Sequence, residues 1–190
     1  MSGFVIRAIE FFLRARHGDA VWMTASAAAA LRPGAVGIMH HYPAGLAGEL
    51  IRAASRSLHI GREELLDDLG GWLARAPALR DVMRFSGTSF GDFVLSLDDL
   101  QNRAHVVLPG LDLPRLDAQP AGPDRYLLSV TAADDDWFAL LAGFLRGMAD
   151  DYGVLAVVER RETVLEVHIA DARFAAGRRF ALHQQAGAPA

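Results

Sequence analysis

Residues 85–114, FSGTSFGDFVLSLDDLQNRAHVVLPGLDLP, decide how this chain is read. Within them Phe90, Phe93, Val94, Leu97 and Leu100 recur at three- and four-residue intervals, the spacing of one helical face. The pattern predicts a helix opened by Gly87-Thr88 and running to about Val107. Pro109-Gly110 stops it, because proline lacks an amide hydrogen and its ring collides with the preceding turn. Pro109, Pro114, Pro120 and Pro123 then punctuate a connector, and the character of the chain changes there.

Upstream the periodicity is helical throughout. Phe4, Val5, Ala8, Ile9, Phe12 and Leu13 form a first stripe, and a second helix runs from Asp19 through Trp22 into the Ala27 to Ala30 run, ended by Pro33-Gly34. A third follows Tyr42-Pro43, and a fourth begins near Gly61, with Glu63 and Glu64 placed to suit the helix dipole. A short piece spans Pro77 to Phe85. Downstream, Tyr126 to Thr131 is strand-like, the acidic run Asp134 to Asp136 can cap a helix reaching Tyr152, and Val154–Val158 and Val164–Ile169 read as an antiparallel pair around Arg160 to Glu162. The tail from about Arg173, ending AGAPA, reads as frayed.

Composition narrows the function. The 190 residues, 52% hydrophobic, suffice for one domain with a sizeable core. A net charge of -4 with no basic run argues against nucleic acid or an anionic membrane as partner. The absence of cysteine removes disulfides, thiolate ligation and thiol catalysis together. Arg7, Glu10 and Arg14 interrupt the N-terminal apolar residues, so that segment reads as an amphipathic helix of a cytoplasmic protein and not as a leader. No Gly-rich phosphate loop, Gly-x-Ser-x-Gly elbow or His-Glu-x-x-His pattern occurs, and an enzyme is not expected.

Four segments, in order and almost without gaps, resemble the haem nitric oxide/oxygen binding (H-NOX) family, the haem domain of the soluble guanylate cyclase β subunit among its members. They are MSGFVIRAIEFFLRARHGDAVW, YPAGLAGELIRAASRSLHIGREELLDDLGGWL, residues 85–114, and GFLRGMADDYG. The resemblance covers about residues 1 to 170. It implies an α+β fold: a helical N-terminal lobe of about residues 1–60 and a mixed lobe of about 61–172 with packed helices and a small antiparallel sheet of about four strands. Together these make one domain, 1–172, with the tail 173–190 after it. The resemblance also implies a stand-alone bacterial sensory module, haem b as the family's cofactor, and a signalling partner such as a histidine kinase or a cyclic-dinucleotide enzyme.

Two parts of the family's haem site are missing. A histidine follows L-D-x-L in the family and ligates the iron, with a proline eight residues later packed on the porphyrin. Here Leu97-Asp98-Asp99-Leu100 leads to Gln101, and Pro109 keeps the register. A glutamine amide is a hard, weak oxygen donor where neutral imidazole binds haem iron well. The family's Tyr-x-Ser-x-Arg motif, which holds the haem propionates, aligns within Val130, Thr131, Ala132, Ala133, Asp134 and Asp135, where neither register restores it. An acidic run there repels carboxylates that arginine would bind. At the position where oxygen-binding members place a distal tyrosine stands Leu140.

The expected reading is therefore a sensory or regulatory module without haem. The alternatives are a nitric oxide sensor with unusual iron ligation and a binder of another apolar small molecule. His105 is the rescue candidate for the first, one turn beyond Gln101. It lies about 6 Å further along the helix axis, whereas metal–nitrogen bonds are about 2 Å with little tolerance. His40-His41 reads as loop and the remaining histidines as singletons, so no metal site is expected. Phe4, Val5, Ile9, Trp72, Phe93, Leu97, Leu140 and Leu141 fall on segments that line the haem cavity in the family. Either they fill that space or they leave an apolar cavity for another ligand.

Overall fold

The computed structural model describes residues 2–31, 36–37, 40–43, 45–107, 111, 113–131 and 134–172. Helix α1 (Gly3–His17) starts where the Ser2 hydroxyl accepts the Phe4 amide at 3.3 Å. It turns at Gly18, whose φ of 89° suits a residue without a β-carbon. Its inner face, with Ile6, Ile9 and Phe12, packs with Trp22 of α2 (Asp19–Ala28), Leu50 and Ile51 of α3 (Leu46–Leu58), and Leu65, Leu66 and Leu69 of α4 (Arg62–Arg75). This all-helical cluster is the first of two cores. Helix α5 (Pro77–Arg84) begins on a proline, whose missing amide hydrogen costs nothing in a first turn.

The second core lies on a four-stranded antiparallel sheet of order β1-β2-β4-β3, built from β1 (Arg115–Gly122), β2 (Arg125–Thr131), β3 (Leu155–Arg161) and β4 (Val164–Asp171). Alternate residues point to one face, so Leu116, Leu128, Val130, Val158, Leu165 and Val167 are buried together. Against them lies α8 (Asp136–Tyr152) with Phe138, Leu141, Leu145 and Met148. Helices α4 and α8 join the two cores. They cross so closely that a β-carbon on Gly143 would lie 1.9 Å from the Asp67 carbonyl oxygen, and one on Gly70 2.0 Å from that of Leu140. The fold is the expected α+β arrangement of helices and four-stranded sheet.

Three details depart from the sequence expectation. The helix expected from Gly87 to Val107 is broken into α6 (Phe90–Leu95), a 3₁₀ turn (Ser96–Asp99) and α7 (Leu100–Val107). The Ser96 hydroxyl donates to the Phe93 carbonyl at 2.7 Å, a local bond that competes with the helical ladder. The proline connector contains β1, because on an edge strand Pro120 forfeits no ladder bond on its open side. The last hairpin pairs as far as Arg161 with Val164, so its turn is Glu162-Thr163 and not Arg160 to Glu162.

Candidate functional site

The break before α7 sets the geometry of the site. A 3₁₀ turn advances about 120° per residue against about 100° in an α-helix, so four such residues rotate the side chains of α7 by about 80°. Phe93 and Leu97 stay fully buried in the second core, whereas Gln101 in the first turn of α7 is exposed. Its Nε2 donates to the Leu113 carbonyl at 3.1 Å, tying α7 to the approach to β1. His105, one turn on, is exposed as well. Pro109 lies outside the described residues.

Arg103, between those two positions, was not singled out from sequence. Its guanidinium donates through Nη1 to the Ser86 hydroxyl at 2.7 Å and through Nη2 to the Ser96 carbonyl at 2.9 Å, so it bridges the 3₁₀ break. The signal for it would have been the break itself, which the unbroken apolar stripe concealed.

The segment aligned with the propionate motif divides in two. Val130 is buried in β2 and Thr131 is exposed at its end. Ala132 and Ala133 lie outside the described residues. Asp134 and Asp135 are exposed ahead of α8, and Asp134 accepts the Asp136 amide at 3.2 Å. Arginines are present here, but the chain's own carboxylates hold them. Arg160 donates to Asp135 at 2.9 Å, and its guanidinium carbon lies 4.1 Å from the centre of the Phe138 ring. Arg62 grips Asp136 with two bonds, Nε to Oδ1 at 2.7 Å and Nη2 to Oδ2. That pairing raises the Arg62 pKa against the opposing effect of burial, so its charge is fixed. Both cations are engaged, and Asp134, which has no ion pair among the described residues, carries the wrong sign for a haem propionate.

Residues expected along the former cavity are divided between the two cores. Ile9 is buried in the first core, with Val5, Trp72 and Leu140 partly buried against it. Phe93, Leu97 and Leu141 belong to the second core. Phe4 is 41% exposed. Phe93 is enclosed by rings, with centres 6.0 Å from Phe90, 5.7 Å from Tyr152 and 6.4 Å from Phe144. Tyr152 is held in turn by its hydroxyl, which donates to the Gly87 carbonyl at 3.0 Å. A surface recess of about 370 Å³ beside Asp68, Gly71 and Leu155 includes none of these residues.

The donor set does not match a haem held as the resemblance implies. The position that the resemblance assigns to the iron ligand bears an exposed amide bonded to a carbonyl, and His105 is exposed a turn further along the helix. The propionate region spends its arginines on aspartates. Among the described residues no group of three or more histidines and carboxylates is placed to hold a metal ion, and no helix is long and apolar enough to cross a membrane.

No curated protein matches the chain. Among solved structures, an H-NOX protein from S. oneidensis in the Fe(II)NO state superposes with a TM-score of 0.79 at 15% identity, covering 90% of this chain and 100% of that one. A Cs H-NOX mutant gives 0.77 at 14% identity, covering 92% and 99%. An oxygen-binding H-NOX domain related to soluble guanylate cyclases gives 0.73 at 14%, covering 90% and 96%. At such identities these matches speak for the fold. Lineage rests on the Haem-NO-binding family model, which matches residues 2–160, and the chain accordingly belongs to the haem-NO-binding (H-NOX) family.

Proposed function

We propose that this chain is a regulatory H-NOX domain that works without haem. The observation that carries the reading is Gln101, exposed and bonded to Leu113 where the family carries its iron ligand. Support comes from the committed arginines around Asp134 to Asp136 and from the aromatic packing that encloses Phe93. The role is signalling and not catalysis. We take residues 1–172 as one cytoplasmic unit, with 173–190 as a tail, acting on a signalling protein such as a histidine kinase or a cyclic-dinucleotide enzyme. The family's control element, the relation between the two lobes, is retained in this reading while the iron trigger is gone. Any ligand that shifts it must bind the two arrangements unequally.

The test is an absorption scan of protein purified after expression with added haem precursor. The expected preparation is colourless, with no Soret band. A Soret band at one haem per chain would overturn the proposal. In that event the spectrum of His105→Ala identifies or eliminates His105 as the ligand.

A further inference from the structure

We infer that the outer edge of β3 is a docking site for an extended segment of a partner protein, which adds to the sheet as a fifth strand and presents a basic side chain to Asp68. The inference rests on the reading that the domain acts through a protein partner. It is independent of the haem question.

The two edges of the sheet differ. β1 is guarded by Pro120, which offers no amide to an added strand, and by the charges of Arg115 and Asp117, devices that discourage strand addition. β3, the opposite edge, has a register shift between Leu155 and Ala156 and is charged from Glu159 to Arg161, but it contains no proline and opens with the uncharged run Leu155-Ala156-Val157-Val158, of which Leu155 is 63% and Val157 45% exposed. Its free main-chain groups can be deduced from the hydrogen bonds. The Ile169 amide donates to the Asp124 carbonyl, toward β2, so the alternate residues Val164, Glu166 and His168 turn their groups toward β3. Those pair with Arg161, Glu159 and Val157, which leaves Ala156 and Val158 with their amide and carbonyl groups outward. One of these outward groups, the Val158 carbonyl, already accepts from Arg146 Nη2 at 3.4 Å, so the amide and carbonyl of Ala156 and the amide of Val158 are the groups left for an incoming strand among the described residues.

The recess of about 370 Å³ runs beside Leu155 and Ala156, with α4 and α8 as its far wall. Gly71 adds no side chain to that wall, and a β-carbon there would come into ordinary contact with Arg75 Nη1 at 3.4 Å and the Gly143 carbonyl oxygen at 3.7 Å. In the wall Asp67 pairs with Arg146 and Asp150 with Arg75, while Asp68 has no ion pair among the described residues. One uncompensated negative charge beside an open strand edge fits a segment with a lysine or arginine at that point. A second copy of this chain fits less well. Antiparallel pairing of two β3 edges about a two-fold axis would bring both α4 walls, and their acidic residues, to the same side of the joined sheet.

The probe is a labelled eight-residue peptide of alternating valine and lysine, tested on the full chain by fluorescence anisotropy and by amide hydrogen exchange. Saturable binding is expected, with slowed exchange at the Ala156 and Val158 amides. Methylating alternate peptide nitrogens, or replacing its lysines by glutamate, should each weaken binding at least tenfold. Ala156→Pro, which removes an outward amide, should do the same, and Asp68→Arg should reverse the preference for lysine over glutamate. Because Asp68 is on the surface, that variant keeps the test valid if Ala156→Pro fails to fold. Binding indifferent to both backbone methylation and charge would overturn the inference, as would no binding at millimolar peptide. Self-association of the free chain that Ala156→Pro abolishes would assign the edge to a second copy instead. A failed peptide experiment with a colourless protein would leave the haem-free reading standing.

Discussion

Gln101 and Asp92 sit in the same stretch of chain and show how single polar groups shape it. The Asp92 carboxylate accepts the Thr88 hydroxyl at 2.6 Å and the Ser89 amide at 3.0 Å, while the Ser89 hydroxyl accepts the Asp92 amide, closing a capping box at the start of α6. The Thr88 bond, followed by those of Ser89, lowers the Asp92 pKa below the usual carboxylate range. The folded state therefore binds this proton less readily than the unfolded chain. The stabilisation is complete above the ordinary carboxylate pKa and is lost as pH falls through the lowered one. Urea midpoints measured between pH 7 and pH 3 should fall with acid, and less steeply in Asp92→Asn. An equal slope in both proteins would remove Asp92 from the acid response. The sequence singled out Gln101 by the resemblance, but its bond to Leu113 was not legible there, because that contact depends on the path of the connector.

At the scale of elements, periodicity located α1 to α4, α8 and three of the strands, and the capping and turn residues placed most of their ends within a few positions. It failed where a local hydrogen bond outweighed the pattern, as at the Ser96–Asp99 turn, and where proline signalled a loop that an edge strand tolerates, as at Pro120. The crossing of α4 and α8 was hidden for another reason: glycines in a helix announce close approach only once the partner is known. Gly143→Ala places a methyl group against the Asp67 backbone and should destabilise the protein by about 1–3 kcal/mol, the usual cost of overpacking. Gly71→Ala meets only ordinary contacts, Arg75 Nη1 at 3.4 Å and the Gly143 carbonyl oxygen at 3.7 Å, and should be neutral or stabilise by up to about 1 kcal/mol, as alanine replaces glycine in a helix. Chemical denaturation of the two variants decides the matter. Equal effects would mean that the crossing does not depend on Gly143.

At the scale of the whole molecule, the two cores share α4 and α8 and are bound further by Arg62 to Asp136 and Arg146 to Asp67. Trp22 is buried in the first core and Trp137 packs against the second. Variants retaining one or the other tryptophan should report the same urea midpoint. Two separated transitions would show that the lobes unfold independently. The division of the expected cavity residues between two packed clusters was not legible in the sequence, since the same apolar residues suit a cavity wall and a core equally well. The central claim, that this H-NOX domain has lost its haem site, is tested most directly by titrating haem into the purified chain and into Gln101→His in parallel. No saturable Soret change is expected in the unmodified protein, and a measurable but weak uptake is expected in the variant, whose propionate region is still acidic. Saturable, one-to-one haem binding by the unmodified chain would contradict the claim.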